Sequence, residues 1–216
     1  MKEKKTIIYQ LLVIVLLIVL AFTIWGKSTQ SSEASASVKG EDIGNGWEKI
    51  DPADIPENPL YLMNTYKGIL AMGDKKEHNA MTIGFGTFGR LWQKPVFTVY
   101  VSSSRYSYSL MEKDSTFSVS FFNKSHWGDV MYLGTHSGRD GDKIGKTKLH
   151  LTYTQRGVPT FNEAFMVIEC RKIYGAPFDS LRLGDTPRKL YGGLDIGIHS
   201  EYVGEITNVY VKDANR

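Results

Sequence analysis

The spacing of apolar residues divides the chain into three parts. Ile7 to Trp25 is apolar except at Tyr9, Gln10 and Thr23, and a basic leader precedes it. A run of about 20 apolar residues is long enough to cross a bilayer as a helix, whereas the core of a signal peptide is usually about 7–15. Lys2, Lys4 and Lys5 would stay on the cytoplasmic side, which directs the remainder outward. Ala34–Ser35–Ala36 offers a cleavage site, but it lies well beyond the apolar run and so favours an uncleaved anchor. Residues 1–26 are therefore expected to be a transmembrane or signal helix. The C-terminal domain would be membrane-anchored and extracytoplasmic, or secreted if the segment is cleaved. Residues 27–46, rich in Ser and Gly, cannot bury apolar surface and read as a flexible linker.

Over residues 47–216 the pattern changes to short runs of period two, broken by Gly, Pro and charged clusters. Pro52, Pro56 and Pro59 imply an extended entry. Tyr61–Tyr66 and Gly68–Met72 read as a hairpin or bent strand, Met81–Phe88 as a glycine-interrupted strand, and Gly89–Pro95 as a turn. Val96–Ser102, Thr116–Phe122, Leu149–Thr154, Ala164–Tyr174 and Glu201–Lys212 read as further strands. Arg105–Lys113, with Ser103 or Ser104 as N-cap, and His126–Leu133, stopped by Gly134, read as helices. The fold class expected is mainly β with a few short helices, closed or partly closed into a small barrel.

Composition narrows the chemistry. The 216 residues are enough for one domain with a sizeable core, and 12% aromatic residues suit half-buried sheet positions. A net charge of +3, evenly mixed, gives no nucleic-acid footprint. Cys170 is the single cysteine, which removes any intramolecular disulfide or multi-cysteine metal site. It lies in the apolar run Ala164–Cys170 and is expected to be buried.

Three local patterns fail on spacing. Gly141–Thr147 reads GDKIGKT, one residue short of a phosphate-binding P-loop and with no apolar strand feeding it. Asp140–Asp142 begins like a calcium loop, yet Leu151 stands where the bidentate Glu would be needed. His78, His126, His136, His150 and His199 contain no i,i+4 pair. What survives is Asn79–Phe122. Small residues there let a flat ligand approach the backbone, and hydroxyls at a strand-to-helix turn suit a phosphate, so a phosphate-bearing cofactor is expected.

That stretch resembles the flavin reductase-like family of FMN-binding split β-barrels, in the branch that includes flavoredoxin. The matching pieces are Asn79, Met81–Thr82, Leu91–Trp92, Lys94–Pro95–Val96, Arg105–Tyr106–Ser107–Tyr108, Ser118–Phe122, Ser137–Gly138–Arg139–Asp140 with Asp142–Lys143, and a close of His199, Tyr202, Val203, Gly204 and Glu205. Three departures stand out: Phe85 where the family often has Trp, Ser102 and Ser103 where it has Arg and Pro, and Ser107 for its Thr. The resemblance implies FMN as cofactor. Asn79, Met81 and Thr82 would line the ring, and Ser103, Ser104, Arg105 and Ser107 would hold the phosphate. Ser137, Gly138 and Lys143 would complete the phosphate and ribityl surroundings. Ser120 is a further candidate, and His199 would stand on the reductant side. An ordinary strand hydroxyl remains the alternative for Thr82 and Ser120, as does a solvated cation for Arg105 and Lys143.

The resemblance also implies a homodimer and electron transfer from NAD(P)H through the flavin to a second acceptor, which the sequence does not identify. The membrane segment adds an alternative, a tethered flavin carrier without NAD(P)H turnover. A split barrel that keeps the fold and binds another ligand is a second alternative. The outward orientation has a direct check. Protease added to intact cells should degrade the C-terminal domain, and a domain cut only after detergent is added would place it inside.

Overall fold

Ten strands and three helices of eight or nine residues organise the described residues, 46–192 and 197–212, of a computed structural model of the chain. The expected anchor and nearly all of the linker lie outside the described residues. Among the described residues, no helix is long and apolar enough to cross a membrane. The strands are β1 (Trp47–Ile50), β2 (Gly68–Gly73), β3 (His78–Ile83), β4 (Gly86–Leu91), β5 (Lys94–Ser102), β6 (Thr116–Phe121), β7 (Leu151–Tyr153), β8 (Pro159–Phe161), β9 (Met166–Pro177) and β10 (His199–Lys212). The helices are α1 (Tyr106–Lys113), α2 (Trp127–Thr135) and α3 (Asp185–Gly192).

The main sheet is antiparallel and runs β3-β2-β6-β9-β10-β5-β4, with β1 added to β10. Its two ends, β3 and β4, are consecutive in the chain and joined only through Gly84 and Phe85. Three Cα steps reach at most about 11 Å. Laid flat, the six strand spacings would hold the ends about 29 Å apart. The sheet therefore has to roll until its ends meet, while β3 and β4 stay unpaired in the ladder. A barrel split at that seam is the result.

Strand alternation sorts side chains onto the two faces. Leu70, Met72, Phe97, Val99, Phe117, Val119, Phe121, Met166, Ile168, Cys170 and Tyr202 form the inner core. Ile69, Ala71, Val167 and Tyr210 face outward and are covered by Val130 and Leu133 of α2 and Phe161 of β8. Cys170 is buried, as its apolar run implies. Lys172 caps the last turn of α1 by donating to the carbonyls of Met111 and Glu112.

Several expected elements shift, each for a local reason. Tyr61–Tyr66 is not a strand. It belongs to a helical turn, Pro59–Tyr61, that continues as a π-helical turn through Tyr66. Asn58 Oδ1 accepts from the amides of Leu60 at 2.9 Å and Tyr61 at 3.4 Å, and Pro59 occupies the first helical position, where its missing N–H costs nothing. The turn expected over Gly89–Pro95 shrinks to Trp92 and Gln93, whose φ values of 47° and 61° fit a two-residue hairpin loop. Neither Ser103 nor Ser104 caps α1; the N-cap is Arg105, with no side-chain cap bond. Helix α2 runs through Gly134 rather than stopping there. A Cβ at Gly134 would lie 3.0 Å from Thr82 Cβ, so this glycine lets the helix approach β3. Strands β1 and β8 and helix α3 were not expected from the pattern.

Gly204 on β10 is a stricter case of close approach. A Cβ there would fall 2.5 Å from Phe117 Cζ and 2.7 Å from Cys170 Cβ, inside the core. Gly204→Ala should destabilise the fold by about 1–3 kcal/mol through overpacking, read by denaturant unfolding. An unchanged midpoint would mean that the inner face is looser than these distances imply.

Candidate functional site

A cavity of about 290 Å³ opens where the N-terminus of α1, the C-terminus of α2 and residues 137–143 meet β3. Eight of the residues nominated from sequence line it: Asn79, Met81, Ser104, Arg105, Ser107, Ser137, Gly138 and Lys143. They come from elements up to 64 positions apart (143 − 79), so the fold assembles them.

Thr82, Ser103 and Ser120 are not among the lining residues. Alternation along β3 turns Thr82 toward α2, where its hydroxyl donates to the Val130 carbonyl. Ser103 sits under Gly197: its amide donates to Ile198 O at 3.1 Å, and a Cβ at Gly197 would come 2.6 Å from Ser103 Oγ. Ser120 lies between the inward Val119 and Phe121, so its hydroxyl points to the outer face and meets Thr160 Oγ1 at 3.0 Å. Ser118 does likewise, donating to Pro159 O at 2.5 Å. These two hydroxyls fasten β8 to the barrel.

The cavity is cationic. Arg105, Arg139 and Lys143 line it, and none of the described residues that line it is a carboxylate. Arg139 Nη1 donates to Ser104 O at 3.1 Å, and its guanidinium lies 5.8 Å from the centre of the Tyr106 ring. Arg105 Nη1 reaches Gly134 O at 3.5 Å, the edge of hydrogen-bond range. Lys143 is buried and donates to Leu133 O at 2.8 Å and His136 O at 2.9 Å, which satisfies carbonyls at the end of α2. Burial, and secondarily the charge of Arg105, pull its pKa down to about 8. Tyr108 N donates to Arg105 O at 3.1 Å, and the amides of Tyr106 and Ser107, at the start of α1, add a further positive pole.

Asn79 is buried and donates from Nδ2 to Ser107 Oγ at 2.9 Å, joining β3 to α1. Gly138 packs against this pair, and a Cβ on it would lie 2.6 Å from Tyr106 Cδ1 and 2.8 Å from Asn79 Oδ1. Ser137 Oγ accepts from Arg139 N at 3.2 Å and shapes the 137–140 turn. Together, cations, hydroxyls and helix-terminal amides suit a bound anion such as a phosphate monoester.

Sequence reasoning left out Arg139, Tyr106 and His136 as lining residues. Arg139 and Tyr106 stood within quoted motifs, but nothing in the spacing showed that one turn folds back over the other. His199 does not line the cavity; its Nδ1 lies 2.9 Å from Tyr191 Oη and its ring 5.8 Å from Phe85. Among the described residues, no group of three or more His, Cys, Asp or Glu is placed to hold a metal.

Lys143 generates a prediction of definite sign. Its proton leaves near pH 8 in the fold but near 10.5 in the unfolded chain, so the unfolded chain holds more protons between these values. The stability of the native sequence relative to Lys143→Met should therefore rise with pH across that window, by at most about 1.4 kcal/mol per pH unit. Lys143→Ala should lower stability by about 1–3 kcal/mol at neutral pH, because buried carbonyls lose their donor. Urea titrations at several pH values read both effects, and parallel pH curves for the native chain and the Met variant would remove the buried ammonium from the account.

Comparison with known proteins fits this geometry. No curated protein matches the chain. Among solved structures, it is similar to an FMN-binding protein from Thermus thermophilus with bound p-hydroxybenzaldehyde, at 23% identity over 69% of this chain and 73% of that one, TM-score 0.55. It is also similar to flavoredoxin from Methanosarcina acetivorans, at 22% identity over 77% of this chain and 76% of that one, TM-score 0.56. Flavoredoxin of Desulfovibrio vulgaris (Miyazaki F) is similar at 20% identity over 69% and 71%, TM-score 0.54. At these identities the likeness establishes the fold alone. The family model described as "Flavin reductase like domain" matches residues 60–216, and the chain belongs to that family.

Proposed function

We propose that the protein is an FMN-binding flavoprotein that carries electrons from NAD(P)H to a second acceptor. The observation that supports this reading is the cluster of three cations, Arg105, Arg139 and Lys143, that lines the cavity at the start of α1. A flavin mononucleotide ends in a phosphate dianion, and the donor set fits one. The cradle at Gly138 fits as well, since a Cβ there would strike Tyr106 and Asn79. Arg105, Ser104, Ser107 and the α1 amides would hold the phosphate. Lys143 would supply charge at one remove, because two of its donors already serve α2. Asn79 and Met81 would meet the ribityl and ring portion.

When bound, FMN supplies the redox chemistry, accepting a hydride from a reduced nicotinamide and passing electrons onward. The chain's own residues bind and orient. Asn79 ties strand to helix through Ser107, Arg139 locks the Ser104 carbonyl, and no side-chain acid or base is required. We read the protein as a homodimer anchored by residues 1–26, with its C-terminal domain outside the cytoplasm. The apolar run Ile7–Trp25 also favours a second reading, a tethered flavin carrier reduced by a membrane partner, because nicotinamides are scarce outside the cytoplasm.

The visible spectrum of the purified protein tests the cofactor. Oxidised-flavin bands are expected, and a colourless protein that takes up no added FMN would end the reading. Arg105→Ala should weaken FMN binding by about 1–3 kcal/mol, measured by flavin fluorescence quenching. Unchanged affinity would remove Arg105 from the site. Anaerobic bleaching by NADH separates the reductase from the carrier.

A further inference from the structure

The Lys143 ammonium has three N–H bonds and two carbonyl partners. It donates to Leu133 O at 2.8 Å and to His136 O at 2.9 Å, which occupies two of the three. A neutral amine also has two N–H bonds, so it can keep both of these contacts. The third proton is therefore the one that can leave without uncapping α2. Lys143 lines the cavity together with Arg105 and Arg139.

The surroundings make that proton labile. Lys143 is 6% exposed, and burial, followed by the charge of Arg105, brings its pKa down to about 8. The charged and titratable groups that share the cavity wall are Arg105 and Tyr106 at the start of α1, His136 after α2, and Arg139 in the loop. Strand β3 contributes Asn79 and Met81, which carry no charge. Asp140 and Asp142 precede Lys143 in its own loop, but neither is among the lining residues, and Asp142 Oδ1 accepts from Gly145 N at 2.9 Å. Asp129, in the first turn of α2, accepts from Lys148 N at 3.1 Å. A guanidinium does not deprotonate in a protein, which leaves Lys143 as the cation whose charge is adjustable. An anion in the cavity gives the ammonium a negative neighbour and so favours its protonated form.

We propose that the cavity takes up its anion together with a proton, which occupies the third N–H of Lys143 and departs when the anion does. The proton comes from solvent and forms one N–H bond on the amine lone pair; no other bond changes. Affinity for a phosphate monoester is then greatest below the pKa of the unliganded lysine and falls as pH rises above it. The site loads at neutral pH and releases as the medium turns alkaline. The proposal rests on the flavoprotein reading for the identity of the anion as FMN, and adds to it a control of loading by pH.

Two measurements test it, and the first needs no flavin. In NMR spectra of the lysine-labelled full chain, one lysine should titrate near pH 8, identified by its loss in both Lys143→Arg and Lys143→Met. Inorganic phosphate should move that titration upward, and chloride at equal ionic strength should not. The second measurement is FMN affinity by fluorescence quenching. From pH 7 to pH 9 the native Kd should rise about fivefold to tenfold, while that of Lys143→Arg should change by less than about twofold. His136→Gln and Tyr106→Phe should keep the native slope, which separates Lys143 from the other titratable groups of the wall. A Lys143 that titrates with the exposed lysines, a titration that phosphate leaves in place, or a Kd that rises as steeply in Lys143→Arg would overturn the proposal. A protein that binds no FMN but whose Lys143 responds to phosphate would end the flavoprotein reading and leave the proton linkage standing.

Discussion

Gly84 and Phe85 allow the chain no flat sheet. Joining the two ends of a seven-strand path through two residues forces the roll, and the roll decides what becomes adjacent. It brings β3, with Asn79 and Met81, beside the turn after β5, with Ser104 and Arg105. The cavity therefore lies beside β3, an end strand of the ladder, where backbone amides are not all consumed by strand pairing. Phe85, as part of the link, is placed next to His199 by the same constraint. A longer link would relax the roll and loosen cavity and seam together.

The two helices that frame the cavity are each held by a lysine at the C-terminal end. Lys172 reaches from β9 to the last carbonyls of α1, and Lys143 reaches from the 137–143 loop to those of α2. Each interaction satisfies orphan acceptors and complements the negative pole of a helix. Tyr202 adds a bond of 2.6 Å from its hydroxyl to Glu112 Oε1, which ties α1 to the inner face of β10. The amides of α1 that face the cavity are thus aimed by contacts at the opposite end of the helix. Lys143 belongs to both systems, as a helix cap and as a nearby charge.

Much of this was legible in the sequence because period-two alternation is a local signal. Val96–Ser102, Thr116–Phe122 and Ala164–Tyr174 are strands close to the bounds read from pattern. Tyr61–Tyr66 misled for the same reason: its alternation looks extended, but Asn58 and Pro59 start a helix just upstream. That Ser104, Arg105 and Ser107 come together was visible through their motif, whereas the place of Ser120, apart from them, was not. A strand hydroxyl points to one of two faces, and only the register with β9 and the presence of β8 show that Ser120 faces Thr160. Arg139 over Tyr106 was beyond reach, since 33 positions (139 − 106) separate residues that only the fold brings together.

The cavity's cations differ from the ion-paired cations of the fold in what they bond. Lys94 and Arg171 both pair with Glu205, Arg156 pairs with the buried Glu169, and Arg182 pairs with Asp179. Each of those cations has a carboxylate beside it, Lys94 and Arg171 sharing one. Arg105, Arg139 and Lys143 instead donate to carbonyls of Gly134, Ser104, Leu133 and His136. A carbonyl fixes the geometry of a cation without neutralising it, so the positive potential survives in the cavity. Concentrating like charge this way is unfavourable, and the charge of Arg105 adds to the larger effect of burial in lowering the Lys143 pKa. A bound anion removes that repulsion as it binds, so the same three residues that strain the free protein favour the complex.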